Sequence, residues 1–360
     1  LADKDEVYYY NVTVRDKANN ENSTETRIVT LDNTFPRVNF TIPTEANNTF
    51  FNRNYIFVNV TINETNFANA TFYLYNSSFD LVNETNITSG INVFNLSVNF
   101  SNLVDLNERY YYNVTVRDKA GNENSTKTRM TTLDSLNPNI DFVLPTPANN
   151  TNQTSTTVIV NVTYFDANND SVVLNFNGTI TTKEITNNDE NYINFTIQNL
   201  GDGTFIYNVT INDSAGNINK TENRIIRIDN TPPQVNLETP FNDTWINNKT
   251  NPVLFEYNTE DETLTVQNCS LFINGILNQT NHSITESITN NFTQPFESGN
   301  YNWSIACADP LNNINYSNNR SIKVDLNFPT ILNESINATV VNITAYICLN
   351  VTILDTFSSI

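Results

Sequence analysis

Carboxylates are the one reactive group that this chain carries in number. It has 38 Asp and Glu in 360 residues, but only one histidine (His282), three cysteines and one methionine, and its net charge is −20. The densest oxygen-rich string is FDANNDS (165–171), where Asp166 and Asp170 offer two ligands to a hard cation. Calcium takes about 6–8 oxygens, often from Asp, Asn and backbone carbonyls. The linker residues Asp134 and Asp229 are further candidates, placed to stiffen a junction through such an ion. The plainer reading is that these side chains fold back onto their own backbone in Asx-turns. No EF-hand spacing is present.

Other chemistries find little support. One histidine cannot build a histidine metal cluster, and three scattered cysteines cannot build a four-cysteine zinc site. His282 sits in a polar NHS string and reads as a surface residue. No GxxxxGK[ST] or GxGxxG string suggests a nucleotide, and no cofactor is implied. Eighteen Lys and Arg against 38 acids argue against nucleic acid, whose phosphates need basic patches. Enough acids exist for a glycosidase pair, but the recurring ones sit at turns and linkers, and no catalytic residue is assigned. No apolar run approaches the roughly 18–20 residues of a membrane helix, and no signal peptide is visible at Leu1.

Asparagine is the commonest residue, at 70 positions, and 36 of these open an Asn-x-Ser/Thr string without proline. Random placement predicts about 13 such strings, so N-glycosylation of an exposed surface is one reading. Alternation along a strand is the other, because Asn and Thr two apart both face solvent. Alternation accounts for Asn11, Asn113 and Asn208. It accounts less well for the loop strings at Asn22, Asn124, Asn219 and Asn242, which are the glycosylation candidates.

The elements that position these residues are set by an internal repeat. YYYNVTVRDKANNENSTETRIVTLD (8–32) and YYYNVTVRDKAGNENSTKTRMTTLD (110–134) agree at 21 of 25 positions, and weaker copies occupy 205–229 and 301–325. Four columns hold in all copies. They are a turn Asp (Asp16, Asp118, Asp213, Asp309), an Asn four residues on (Asn20, Asn122, Asn217, Asn313), an Arg (Arg27, Arg129, Arg224, Arg320) and a closing Asp (Asp32, Asp134, Asp229, Asp325). A proline follows each closing Asp: Pro36, Pro138, Pro233 and Pro329. The spacings of 102, 95 and 96 residues match one small β-sandwich each. The expected division is 1–33 as the C-terminal part of a repeat, 34–135, 136–230 and 231–326 as whole repeats, and 327–360 as the N-terminal part of another. Such boundaries imply a longer parent protein.

Within a copy, Tyr112, Val114 and Val116 alternate with Asn113, Thr115 and Arg117, the period of a half-buried strand. A short Asp/Asn/Gly loop and a second strand complete a hairpin. VNFTI (38–42), YIFVNVTI (55–62), ATFYLY (70–75) and FNLSVNF (94–100) add further strands, with no helical period anywhere. The expected fold is all-β, a tandem array of antiparallel sandwiches whose Pro-containing linkers block sheet continuation and give a linear rod. The arginine column is expected to stack on a strand tyrosine or pair with a carboxylate. Its functional alternative is a binding stripe.

The strand Tyr207–Asn217, Y-x-V-x-x-x-D-x-A-G-N, followed by D-N-T-P-P at Asp229–Pro233, resembles the end of one domain and the start of the next in tandem immunoglobulin-like and fibronectin-III-like repeats of bacterial and archaeal cell-surface proteins. The other junctions, LDNTFP, LDSLNP and VDLNFP, depart from that pattern. The resemblance implies neighbouring third and sixth strands. Internal alignment puts Cys269 at the place of Ala70 and Cys307 at that of Val116, both on the apolar face. A Cys269–Cys307 disulfide is therefore one reading and two buried thiols the other, while Cys348 has no assigned partner. The resemblance further implies a non-catalytic extracellular spacer, such as a stalk, surface-layer or filament component, whose partners are its neighbouring repeats. The alternatives are an adhesin binding surface glycans or proteins, and the accessory region of a secreted enzyme.

Overall fold

The computed structural model describes residues 6–88, 95–185, 191–247, 249–336 and 348–355, and every regular element in them is a β-strand. No helix among them is long and apolar enough to cross a membrane. The chain packs into two compact units. One comprises Leu1–Val143, Asn161–Asn194 and Asn208–Glu222, and the other Leu144–Val160, Phe195–Tyr207 and Asn223–Ile360.

In the first unit, residues 37–133 fold as a two-sheet sandwich. Asn95–Phe100, Ile56–Asn63 and Arg37–Phe40 form one sheet in that order. Thr49–Phe51, Arg129–Leu133, Glu108–Asp118, Phe67–Tyr75 and Leu81–Ile87 form the other. Alternation decides which side chains meet. Ile56, Val58, Val60 and Ile62 from the first sheet share one core with Phe72, Leu74, Tyr112, Val114 and Val116 from the second. The polar partners Asn113 and Thr115 lie on the opposite face of their strand, less deeply buried.

The hairpin differs from the expected one in detail. The strand after the turn is broken into Glu123–Ser125 and Arg129–Leu133, which pair successive halves of Glu108–Asp118. Thr126 makes the break, because its backbone N–H donates to the Val114 carbonyl (2.9 Å) and its Oγ1 accepts the Val114 N–H (3.0 Å). One pairing also departs from the antiparallel expectation. After Arg37–Phe40 the chain changes sheets, so that Thr49–Phe51 runs parallel to Arg129–Leu133.

The second unit holds the third sandwich, built in the same order from residues 234–324, with Thr244–Ile246 parallel to Arg320–Val324. Phe255 and Trp303 meet edge to face in its core, 4.9 Å between centroids. The intervening copy repeats these pairings. Asn139–Val143 lies antiparallel to Val158–Phe165, and Thr151–Gln153 lies parallel to Arg224–Ile228. In the first unit, Glu6–Tyr10 pairs with Arg27–Leu31 and Thr13–Arg15 with Glu21–Ser23. Val12 and Val14 there are exposed, whereas the corresponding Val114 and Val116 are fully buried beneath a facing sheet.

Candidate functional site

The recurring polar residues converge on the boundaries between copies, and the Asp-x-x-x-Asn turn places them there. In the turn, Asp213 Oδ1 accepts the backbone N–H groups of Ala215 and Asn217 (2.9 and 2.8 Å), and Oδ2 accepts the Asn217 amide (2.6 Å). Asp309 takes the same set from Leu311 and Asn313, and Asp118 takes two of the bonds from Asn122. So held, the Asn amide also reaches the preceding copy. Asn122, Asn217 and Asn313 donate to the carbonyls of Asp32, Asp134 and Asp229 at 3.3, 3.0 and 3.1 Å. Two residues on, Asn124, Asn219 and Asn315 donate through Nδ2 to the carbonyls of Pro36, Pro138 and Pro233 at 2.8, 2.9 and 3.0 Å.

These bonds give the loop Asn-x-Ser/Thr strings a structural use. In NST (124–126), NKT (219–221) and NYS (315–317) the asparagine bonds across the boundary. The Thr126, Thr221 or Ser317 hydroxyl accepts the strand N–H of Val114, Val209 or Ile305. Asn22 is exposed, and Thr24 in its string caps Val12 in the same way. Asn242 belongs to a second series with Asn47 and Asn149. Their Oδ1 atoms accept the N–H groups of Ser321, Met130 and Ile225, and Thr244, Thr49 and Thr151 close the local turns. For Asn124 and Asn219, the nitrogen to which a sugar would attach is engaged with the neighbouring copy.

Carboxylates gather at the same boundaries. One oxygen from each of Asp32, Glu64 and Asp118 lies within 4.8 Å of the other two, and the same holds for Asp134, Asp166 and Asp213 and for Asp229, Asp261 and Asp309. Asp166 thus meets Asp134. Asp170 does not join them, because its strand Asn169–Phe176 turns it to solvent beside Ser171. Asp166 stands 32 residues after its closing Asp, and Glu64 and Asp261, which the motifs alone do not pick out, stand at the same spacing, a regularity visible in the sequence. Burial, and then the charges of Asp134 and Asp213, raise Asp166 above its ordinary carboxyl pKa. Burial, with Asp261, Asp309 and Asp202 behind it, pushes Asp229 up to about 6.

The arginine column divides: Arg27 stands 3.5 Å from the Glu25 carboxylate, as one expectation had it, while Arg129, Arg224 and Arg320 bond to backbone. Arg129 and Arg224 donate to the carbonyls of Glu45 and Pro147, which also accept the Tyr112 and Tyr207 hydroxyls. Arg320 donates to Leu237, Glu238 and Pro240 at 2.8, 2.9 and 2.9 Å. The aromatic neighbour of Arg129 is Phe40, 4.5 Å from the guanidinium.

Cys269 and Cys307 face each other across Asn268–Ile273 and Gly299–Ala308 and form a disulfide, fully buried in the third core. Cys348 and His282 are exposed.

This architecture defines a class: tandem immunoglobulin-like β-sandwich repeats. Residues 48–135 match the family model of the bacterial Ig-like domain. No curated protein matches the chain. Among solved structures, a tetra-tandem repeat from the extending region of a large adhesion protein is similar at 16% identity, covering 90% of this chain and 83% of its own, with a TM-score of 0.38. A bacterial ice-binding adhesin is 17% identical over 82% of this chain and 99% of its own, with a TM-score of 0.30. Fibronectin(III)-like modules of Clostridium thermocellum CbhA are 12% identical over 52% and 94%, with a TM-score of 0.28.

Proposed function

We propose that this chain is a non-catalytic repeat region of a cell-surface protein, acting outside the cytoplasm as a spacer that presents other parts at a distance. Its working units are the repeats 34–135, 136–230 and 231–326, with partial copies at 1–33 and 327–360, and its first partners are its own neighbouring repeats. The observation that carries this reading is the recurrence of one clamp at three boundaries, where Asn122, Asn217 and Asn313 each bond the closing Asp of the copy before. Polar residues thus recur alike at these three boundaries rather than gathering unlike in one cleft. The buried Cys269–Cys307 disulfide supports an oxidising compartment, and a net charge of −20 supports solubility of a long exposed surface.

Two measurements test it. Antibody raised against the chain is expected to label intact cells of the source organism, and labelling seen only after permeabilisation refutes the surface role. Single-molecule stretching is expected to release the repeats one at a time, each adding about 300 Å of chain. A single all-at-once release refutes independent spacer units. Specific retention on a glycan array would instead favour the adhesin reading.

A further inference from the structure

The three boundary clusters are alike in their acids but not in how those acids are satisfied. At the first, Asp32 Oδ1 accepts the Thr34 N–H, and Oδ2 accepts the amide of Asn66 at 2.9 Å. At the second, Asp134 Oδ1 accepts the Leu136 N–H, and Oδ2 accepts the amide of Asn168 at 3.0 Å. The same asparagine bonds its own cluster acid through its backbone, Asn66 to Glu64 and Asn168 to Asp166, both at 2.7 Å. At the third, the corresponding residue is Thr263. Its N–H still bonds Asp261, at 3.0 Å, but it brings no amide to the closing Asp.

Asp229 is left with Oδ1 on the Thr231 N–H (3.1 Å) and with Oδ2 buried and without a hydrogen-bond partner. The residue is 0% exposed. Asp261 repeats the arrangement. Its Oδ1 accepts Thr263 and Leu264, and its Oδ2 is likewise buried and without a partner. Asp309, also 0% exposed, completes the group. No ion pair among the described residues involves any of the three. Leaving a buried carboxylate oxygen without a donor or counter-charge is costly.

We propose that Asp229, Asp261 and Asp309 bind one calcium ion, which takes the place that the Asn66 and Asn168 amides fill at the other two boundaries. The reach is right. Calcium–oxygen bonds run about 2.3–2.6 Å, so two ligands of one ion lie no more than about 5 Å apart, and the three oxygens here lie within 4.8 Å of one another. The chemistry is right as well, because the donors are hard carboxylate oxygens, each carboxylate already oriented by a backbone N–H. Remaining positions in the coordination shell go to water. The ion would join the closing residue of one copy to two residues of the next, and this holds whatever the chain does at a surface.

The test is calcium titration of the full chain after chelator treatment, at about 0.1 M salt to screen weak surface sites. Binding is read by calorimetry, and melting by tryptophan fluorescence, to which both tryptophans, Trp245 and Trp303, report from this copy. Wild type is expected to bind one calcium and to melt higher with it. Thr263→Asn restores the missing amide. It is expected to weaken calcium binding by roughly tenfold or more, yet to melt higher than wild type in chelator. Asp261→Asn is expected to weaken binding by a similar factor. Absence of saturable binding by wild type, or wild-type affinity in either variant, overturns the proposal.

Discussion

The side-chain amide of Asn217 donates to the backbone carbonyl of Asp134, 83 residues earlier, at 3.0 Å. Its other bond runs to Asp213, four residues back, at 2.6 Å. One amide therefore closes a turn and ties two copies together while only 2% exposed. Removing it strands a buried carboxylate oxygen and a carbonyl at once. Asn217→Ala is expected to cost about 1–3 kcal/mol, read as a lower urea midpoint. Asn20→Ala, at the exposed turn of the first copy, keeps its neighbours in contact with water and is expected to cost under about 0.5 kcal/mol.

Arg320 reaches three backbone carbonyls, those of Leu237, Glu238 and Pro240, where the chain leaves one sheet for the other. In this copy Trp303 replaces the tyrosine that shares the corresponding carbonyl elsewhere. The guanidinium fork satisfies acceptors in several directions, which an ammonium on a flexible stem does not do equally well. Arg320→Ala is expected to lose about 1.5–3 kcal/mol and Arg320→Lys a smaller part of it, both followed by tryptophan fluorescence in urea. Arg27→Ala, at an exposed column position beside Glu25, serves as the near-neutral control.

The sandwich was legible because period 2 places Tyr112, Val114 and Val116 on one face whatever surrounds them, and the internal repeat supplied the length of each copy. The boundary chemistry was only half legible. Alignment picks out Asp213 and Asn217 as a pair, but nothing local says that the amide has a second acceptor 83 residues away. The loop sequons show the same limit. Asn219 and Thr221 form an Asn-x-Thr string, and nothing local says that each also answers a separate backbone group, one in the preceding copy and one on the adjacent strand. The short parallel strands Thr49–Phe51 and Thr244–Ile246 carry too few residues to show a period at all.

Tyr257 gives the pH dependence of the third core a definite sign. It stacks on Phe292 at 5.6 Å, its hydroxyl is buried with Asn281 as its polar neighbour, and burial outweighs that neighbour to push its pKa up to about 12. The unfolded chain ionises this phenol near pH 10. The neutral form is therefore favoured in the folded state, and its contribution is complete below about pH 10 and lost as pH rises through about 12. Absorbance titration at the tyrosinate band is expected to show Tyr257 among a late-ionising group of phenols, with Tyr75, Tyr110 and Tyr112, which burial also raises. Tyr257→Phe removes one phenol from that late group together with a buried hydroxyl, so it is expected to leave stability at pH 7 unchanged or raised by about 1 kcal/mol.

The Cys269–Cys307 bond closes a loop of sequence separation 38 inside a single sandwich. Restricting the unfolded chain over such a loop is worth about 4 kcal/mol in the chain-entropy model. The two sulfurs replace the Ala70 and Val116 of the first copy, which are buried at the same paired position without a cross-link. The fold therefore does not require the bond, which adds stability to one copy only. Cys269→Ala with Cys307→Val recreates the first copy's pair, and the double variant is expected to keep the native tryptophan emission in buffer. Its tryptophan-detected urea transition is expected to fall by an amount approaching about 4 kcal/mol. In stretching, the oxidised third copy is expected to release about 130 Å less chain than its neighbours, because the segment inside the loop stays closed. Reductant restores the full length if the bond is intact in the native protein, and equal lengths before and after reduction show that the two cysteines are unpaired there.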